Sequence, residues 1–399
     1  MVIGPRRLMQ GRDPDQEHRV STPLELLFDL TFVVAVARAA SELSHAISSG
    51  HPGPGVVSYL MVFFAIWWAW MNFTWFASGY DVDDVTYRLL TMLQMAGVLV
   101  LAAGVPAAFE RADYVAVTVG YVIMRVAMVA QWARAARDDP SRRATSVRYA
   151  IGITLVQAGW LLRLALPSDR SLGTAGFLLL AVAELAVPIW AERREPTSWH
   201  PHHIAERYGL FTIIVLGECV LAATTAVGAQ ADGHLGGSGL LPVALGGLPL
   251  LFALWWLYFL KPVGEALERH RAMAFWWGYG HYGVFAVIAA LGAALEAAAE
   301  RTLPGGATGG HEAAADPVIG WAVAVPVAVF VLLVWALQAR LGAAPVRDAA
   351  AVVVCAGAVL AVPAATLAGV GAAWTVPLIA MPVVALVVYA ARRSPAPAG

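Results

Sequence analysis

Residues 19–45 read RVSTPLELLFDLTFVVAVARAASELSH and place two carboxylates, Glu25 and Asp29, at the start of an apolar run long enough to cross a bilayer. The two are four residues apart and therefore share one face of a helix. A charge at the centre of a spanning helix costs about 2.5 to 3.5 kcal/mol, so such groups usually face a protein interior or a water-filled cavity. Glu25 also fits the first helical turn after Thr22 and Pro23, where a negative charge complements the helix dipole. Asp29 lies roughly 10 Å from the start of the span, and we predict that it lines a cavity or pairs between helices.

The composition of the whole chain is typical of a membrane protein. Hydrophobic residues make up 59% of it, charged residues 13%, and the mean hydropathy is +0.68, whereas soluble domains are roughly 45 to 50% apolar and about 25% charged. The net charge is −1 and no basic domain is present, so we do not expect nucleic acid as a partner. The expected partners are membrane lipid and a small solute or ion. The composition leaves the identity of that solute and the oligomeric state open.

Apolar runs of about 20 residues between turn signals predict an all-α, polytopic integral membrane protein with about twelve transmembrane helices. A short Gly-rich stretch separates the last two runs, so eleven spans remain an alternative. The predicted spans are residues 24–46, 56–78, 88–109, 114–134, 147–166, 173–191, 204–227, 240–260, 273–297, 318–339, 349–369 and 373–391. We divide the chain into a tail (1–22), a first six-helix half (23–195), a second six-helix half (196–393) and a second tail (394–399).

The distribution of Lys and Arg predicts the orientation of these spans, because short cytoplasmic loops carry the excess of positive charge. With the N-terminus in the cytoplasm, 19 of the 26 basic residues fall in the tails and cytoplasmic loops, and only Arg111, Arg170 and Arg301 fall on the other side. We therefore predict a multi-pass protein of the bacterial inner membrane with both termini in the cytoplasm.

Two pairs of segments indicate an internal repeat. LELLFDLTFVV in the first span corresponds to AERYGLFTIIV in the seventh, with Glu25 aligned to Glu206, and FAIWWAWM (64–71) corresponds to FALWWLYF (252–259). A six-helix period in the same order would give two halves of the same orientation. Chance similarity between Trp-rich apolar segments is the alternative.

The loop between the second and third predicted spans is acidic. Asp81, Asp83 and Asp84 lie there, and Arg88 follows at the start of the third span. Such a loop can gate a pathway or attract a cation. The alternative is a solvated turn whose acids begin a helix.

Other ionisable residues lie deeper in the predicted spans. Glu218 lies about 20 Å from the start of the seventh span, beside Gly217, which would allow close backbone approach. Arg207 lies three helical turns earlier on the same face. We count Glu25, Asp29, Asp81, Asp84, Arg88, Arg207, Glu218 and His281 as candidates for a substrate or ion pathway.

Three further groups of residues carry predictions. Arg125 and Glu184 are at similar depth near the midplane, and we predict a structural ion pair. His281 can relay protons near physiological pH, although a hydrogen-bonded core histidine is the common alternative. We expect the loop residues His200, His202 and His203 to be exposed, with binding of a divalent cation as the alternative. The chain has no nucleophile elbow, phosphate-binding loop, HExxH or CxxC pattern, so we predict no catalytic residue, no metal site, no cofactor and no enzymatic activity.

Three long blocks carry a resemblance to a known family. They are TPLELLFDLTFVVAVA (22–37), WWAWMNFTWFASGYDVDDVTYRLLTMLQMAG (67–97) and ERYGLFTIIVLGECVLA (206–222). In this order they resemble the signature blocks of the bacterial low temperature requirement protein A family, which implies a polytopic inner-membrane protein linked to growth in the cold. Acidic groups within the spans favour a transporter or channel-like permease for a small solute or ion, with proton coupling as an option. The alternatives are a non-transporting membrane factor for cold adaptation and an intramembrane enzyme that acts on a lipid.

Overall fold

The computed structural model describes residues 7–13, 16, 19–50, 52–166, 170–231, 240–300, 317–367 and 374–393, and in these ranges the regular structure is entirely helical. The helices are α1 (Pro23–Ser48), α2 (Pro52–Tyr80), α3 (Val85–Arg111), α4 (Val115–Asp138), α5 (Arg143–Ala165), α6 (Arg170–Ala191), α7 (Pro201–Ala231), α8 (Leu240–Phe259), α9 (Val263–Arg269), α10 (Ala274–Glu300), α11 (Pro317–Arg340), α12 (Ala349–Leu367) and α13 (Thr375–Arg393). The predicted all-α fold is confirmed.

Each predicted span falls on one long helix. Within the described ranges, nine helical stretches are long and apolar enough to cross a membrane, and they lie in α2, α3, α4, α6, α8 with α9, and α10 to α13. The long helices α1, α5 and α7 are not among these nine stretches. In α1, for example, Glu25, Asp29, Arg38 and Glu42 interrupt the apolar sequence. The predicted count of twelve spans therefore stays a prediction.

The chain divides into two compact units. Unit 1 contains residues up to Ala39 and Ser58–Tyr208, and unit 2 contains Ala40–Val57 and residues from Gly209 onward. Within unit 1, α3 packs on α4, α4 on α5 and α5 on α6. Within unit 2, α10, α11, α12 and α13 pack in sequence, and α8 packs on α13. Compared with the predicted halves, these units exchange two segments, because 40–57 belongs to unit 2 and 196–208 to unit 1. This division into two units does not test the predicted six-helix repeat, which stays a prediction.

Glycines allow the close contact of α3 and α4 in unit 1. A Cβ at Gly97 would lie 2.7 Å from the carbonyl oxygen of Gly120, and a Cβ at Gly120 would lie 2.4 Å from the backbone nitrogen of Leu101. Distances this short leave no room for any side chain. Small residues at a helix interface are the usual means of bringing two membrane helices together.

The polar segment before α1 is anchored to the ends of the helices of unit 1. Backbone N–H groups of Met9 and Gly11 donate to the carboxylates of Asp138 (3.2 Å) and Asp139 (3.1 Å). The Arg12 N–H donates to the Gly79 carbonyl at 2.9 Å. The side chain of Met9 is fully buried. The predicted tail 1–22 thus includes a segment, residues 7–13, that belongs to the packed structure.

Candidate functional site

Arg207 joins the two carboxylates that begin α1. Its Nη1 lies 3.0 Å from Oε1 of Glu25, and its Nη2 lies 2.5 Å from Oδ1 of Asp29. Their i, i+4 spacing directs both carboxylates to the same face of α1, where Arg207 reaches them from the second turn of α7. All three side chains are at most 1% exposed. Charged groups so deeply buried require partners of opposite charge, and here each one has such a partner.

The cap of α1 extends this charged cluster. The Thr22 N–H donates to Oε2 of Glu25 at 2.8 Å, and the Glu25 N–H donates to Oγ1 of Thr22 at 3.3 Å, which is the reciprocal arrangement of a capping box. The ring nitrogen Nε2 of His203 lies 3.2 Å from Oε1 of Glu25. Glu25 therefore serves both as the helix cap expected from the sequence and as a member of an ion pair.

Trp70 of α2 supplies a neutral donor to the deeper carboxylate. Its indole N–H donates to Oδ1 of Asp29 at 2.7 Å. The ring of Trp70 packs edge to face on Tyr208, whose hydroxyl accepts a 3.0 Å hydrogen bond from the Trp75 indole. This aromatic layer fixes the position of Asp29 from the side of α2. We define Glu25, Asp29, His203 and Arg207, with Trp70, as the arginine cluster.

Several polar atoms of the arginine cluster and its surroundings remain unsatisfied. Oδ2 of Asp29, Nδ1 of His203 and the hydroxyl of Tyr87 are buried and have no hydrogen-bond partner among the described residues. Tyr87 interacts electrostatically with both Glu25 and Arg207. Buried polar atoms are normally paired, so a concentration of orphaned ones identifies a place that can accept a proton, a water molecule or a polar solute.

Charged groups continue from the arginine cluster toward the ends of the helices. Arg19 donates to the carbonyl oxygens of Ala77, at 2.6 Å, and Ser78 in the last turn of α2. The Ala77 carbonyl also accepts the Asp81 N–H at 3.2 Å. Burial lowers the pKa of Arg19 to about 10. Asp81 follows α2 directly and is half-buried. Burial, reinforced by the negative charge of Glu25, raises the pKa of Asp81 to about 6. This carboxyl therefore titrates close to neutral pH.

The other two members of the acidic loop have local structural roles. Asp84 caps α3 by accepting from the Tyr87 N–H at 2.9 Å, and it also binds the guanidinium of Arg134. Burial opposes ionisation of Asp84, but these donors outweigh it and lower the pKa to about 2. Arg88 pairs with Asp83 through two bonds of 2.7 and 2.9 Å at the surface. Of the loop carboxylates that were candidates, Asp81 alone combines partial burial with a pKa near neutrality.

Arg125 and Glu184 lie together in a second buried cluster of unit 1, with Arg125 Nη2 3.1 Å from Oε2 of Glu184. The carboxylate of Glu184 also accepts hydrogen bonds from Trp68 Nε1 (2.8 Å), the Tyr121 hydroxyl (2.7 Å) and Trp160 Nε1 (3.3 Å). Both oxygens of Glu184 are thus satisfied by protein donors. We call this the Glu184 cluster. Its geometry suits a structural support for α2, α4, α5 and α6.

Glu218 and His281 belong to unit 2. Glu218 is half-buried in α7, and its Cβ lies 3.1 Å from where a Cβ of Gly292 would be, so α7 and α10 approach closely there. The close backbone approach expected at Gly217 is wrong, since a Cβ at Gly217 would meet no atom of the described residues within 4 Å. His281 is buried, with Nδ1 2.8 Å from the Trp277 carbonyl and Nε2 3.0 Å from the Tyr258 hydroxyl. These distances assign the proton to Nδ1 and describe a hydrogen-bonded core histidine.

The expectation that His200, His202 and His203, at the start of α7, are exposed is wrong for two of them. His200 is 7% exposed and His203 is fully buried, whereas His202 is exposed. The start of α7 packs into unit 1, and this brings His203 onto Glu25. The i, i+4 spacing of His203 and Arg207 was the signal in the sequence, because it places both on one face of α7. Trp70, Trp68, Tyr121 and Trp160 gave no comparable signal among many apolar aromatic residues. Within the described ranges, no group of three or more His, Cys, Asp and Glu side chains could hold a metal ion.

Helices of this length and apolarity, with charged clusters buried among them, define an all-helical protein of the polytopic membrane class. The model of the family described as bacterial low temperature requirement A protein matches residues 20–391, and the chain belongs to that family. The resemblance found in the sequence blocks is therefore confirmed. An uncharacterised protein of Rhizobium meliloti (strain 1021) is 29% identical to the chain over 255 residues, which cover 61% of this chain and 59% of that relative.

Proposed function

We propose that this protein is a permease for a small solute or ion in the bacterial inner membrane, and that its arginine cluster couples transport to protons. The observation that carries the proposal is the contact of one guanidinium, Arg207, with two carboxylates, Glu25 and Asp29, inside a bundle of apolar helices. Ionisable residues at such positions in membrane helices commonly belong to ion pathways and proton relays.

The arginine cluster offers a simple basis for coupling. When both carboxylates are ionised, Arg207 is held between them with 3.0 and 2.5 Å contacts. Protonation of Asp29 would remove one of these attractions and leave Arg207 paired with Glu25 alone. A cationic solute, or a solute with a hydrogen-bond donor, would compete for the same carboxylate oxygens. Proton and solute binding would then be linked, because each changes the charge available to the other.

Asp81 provides an entry point for the proton in this proposal. It is half-exposed, has a pKa of about 6, and interacts electrostatically with Glu25 and Arg19. The phenol of Tyr87 is also influenced by the charges of Asp81 and Glu25. A proton from the aqueous side would therefore reach the arginine cluster through groups that already respond to one another.

The proposal includes the features predicted from the sequence. The twelve spans, the two six-helix repeats and the cytoplasmic position of both termini belong to it, supported by the correspondence of the long helices to the predicted spans and by the distribution of Arg. Glu218 is proposed as a second pathway carboxylate, in unit 2, because it is half-buried in an apolar helix and interacts electrostatically with a second carboxylate, Glu296.

Inside-out membrane vesicles from cells that express the protein would test the function. Respiration acidifies the vesicles, and acridine orange reports the proton gradient while K⁺, Na⁺, amino acids and small amines are added one at a time. We expect at least one solute to dissipate the gradient in wild-type vesicles and to lose this effect with Asp29→Asn, which keeps the shape of the side chain and removes its charge. Asp83→Asn is the matched control, since Asp83 pairs with Arg88 at the surface, and it should retain the response.

Two other outcomes would contradict this proposal in whole or in part. If no solute distinguishes vesicles with the protein from vesicles without it, the proposal of proton-coupled transport is wrong and a non-transporting membrane role is preferred. If the response is present but Asp29→Asn retains it fully, transport is supported and the assignment of the arginine cluster is wrong.

A further inference from the structure

One end of unit 2 contains a cavity that the proposed transport function does not use. The ends of α8, α11 and α13 and the start of α12 line a partly open pocket there. Most of its wall is apolar. The apolar lining includes Leu257, Val331, Val334, Val352 and Leu386.

The rim of this cavity is basic. Lys261, Arg347 and Arg393 line it together with a single carboxylate, Asp348. Arg393 Nη1 lies 3.7 Å from Oδ1 of Asp348, and the guanidinium of Arg393 lies over the ring of Tyr389 at 4.6 Å. Three cations against one anion leave a net positive rim. These residues all follow or precede the membrane-spanning helices at the end that the positive-inside rule assigns to the cytoplasm.

A buried donor lies in the same wall. The indole Nε1 of Trp335 is buried and has no acceptor among the described residues, and Trp335 lines the cavity. The neighbouring Gln338 amide is already used, since it donates to the carbonyls of Leu257 and Tyr258 at 3.4 and 3.3 Å. An indole N–H that lines a cavity without an acceptor can bind an oxygen of a ligand.

We propose that this cavity binds an anionic phospholipid of the cytoplasmic leaflet, with the phosphate at the basic rim and an acyl chain against the apolar wall. The charge and the shape together favour this ligand class over others. A soluble anion would use only the rim, and a neutral lipid would use only the apolar wall. Basic pockets between membrane helices on the cytoplasmic side bind anionic headgroups. The Trp335 N–H would donate a hydrogen bond to an ester oxygen below the phosphate.

Native mass spectrometry of the purified full-length protein in a nonionic detergent would test the proposal. Phosphatidylglycerol and phosphatidylcholine with identical acyl chains are added in turn. We expect a first phosphatidylglycerol to bind at least tenfold more tightly than the first phosphatidylcholine. The double substitution Lys261→Gln with Arg393→Gln should weaken phosphatidylglycerol binding about 30-fold, since each basic residue near the headgroup contributes about fivefold. Equal affinity for the two lipids would overturn the proposal.

Two controls separate this site from general attraction of charge. Arg392→Gln removes an exposed neighbouring charge that does not line the cavity, and it should reduce binding no more than about twofold. A comparable loss with Arg392→Gln would mean that no specific site exists. Val352→Phe keeps the rim and fills the apolar wall, so it should weaken phosphatidylglycerol while leaving any binding of inorganic phosphate unchanged. Displacement of phosphatidylglycerol by excess inorganic phosphate alone would show an anion site rather than a lipid site.

Discussion

Nη2 of Arg207 lies 2.5 Å from Oδ1 of Asp29, and both side chains are fully buried. The same carboxylate oxygen accepts the indole N–H of Trp70 at 2.7 Å. Asp29 is therefore not an isolated charge in an apolar helix. Its second oxygen, Oδ2, has no hydrogen-bond partner among the described residues, which distinguishes it from Glu184, whose two oxygens both accept protein donors. We infer that the Glu184 cluster supports the fold and that the arginine cluster is the one able to exchange a proton or a solute.

The Glu184 cluster should contribute strongly to stability. Glu184→Gln would leave Arg125 buried without an opposite charge, and removal of one partner from a buried ion pair typically costs about 3 to 5 kcal/mol. We expect a clear fall in the melting temperature of the purified protein in detergent, measured by intrinsic fluorescence. Arg88→Gln removes a surface pair and is the control, for which we expect no measurable change. Equal melting temperatures for Glu184→Gln and the wild type would contradict the structural role.

The sequence predicted the helices and some of these pairs for physical reasons. The apolar runs predict the long helices because a helix needs about 20 consecutive apolar residues to cross the hydrocarbon core of a bilayer. Arg125 and Glu184 could be suggested as partners from depth alone. The pairing of Arg207 with Asp29 was not predicted, because sequence spacing does not show which helices are neighbours. The donors Trp68, Tyr121 and Trp160 could not be distinguished from aromatic residues that only pack.

The pKa of Asp81 leads to a prediction about pH. In the folded protein this pKa is raised to about 6 from the ordinary value of 3.8, so the folded state binds the proton more tightly than the unfolded state does. Ionised Asp81 therefore destabilises the fold above pH 6, and the effect is lost as the pH falls through 6 toward 4. We expect Asp81→Asn to raise the melting temperature at pH 7.5 and to differ little from the wild type near pH 4.

Asp84 gives the opposite dependence and serves as the control for Asp81. Its pKa is lowered to about 2, so the ionised carboxylate stabilises the folded state above pH 4, and this contribution is lost as the pH falls toward 2. Asp84→Asn should therefore lower the melting temperature at pH 7.5, when Asp81→Asn raises it. A destabilising effect of Asp81→Asn at pH 7.5 would show that the charged form of Asp81 is favoured by the fold.

The topology can be tested with reporter fusions. A reporter within residues 134–148 and one at the C-terminus should both be cytoplasmic, because the basic residues of every alternate loop fall on that side. A reporter between Gly228 and Gly239 should be outside the cell. Residues 232–239 and the C-terminal residues 394–399 lie outside the described ranges. An external C-terminus would mean that one of the last two predicted spans is miscounted.

The pH dependence of flux through purified protein in liposomes is the most direct test of the arginine cluster. A pH-sensitive dye inside the liposomes reports proton movement under an imposed membrane potential, for the wild type, Asp29→Asn and Glu42→Gln. Glu42 lies on α1 like Asp29 but outside the arginine cluster, and its substitution controls for loss of a charge from that helix. We predict pH-dependent flux in the wild type and in Glu42→Gln, and loss of the pH dependence in folded Asp29→Asn. Wild-type flux with an unchanged pH response in folded Asp29→Asn would contradict proton exchange at this cluster.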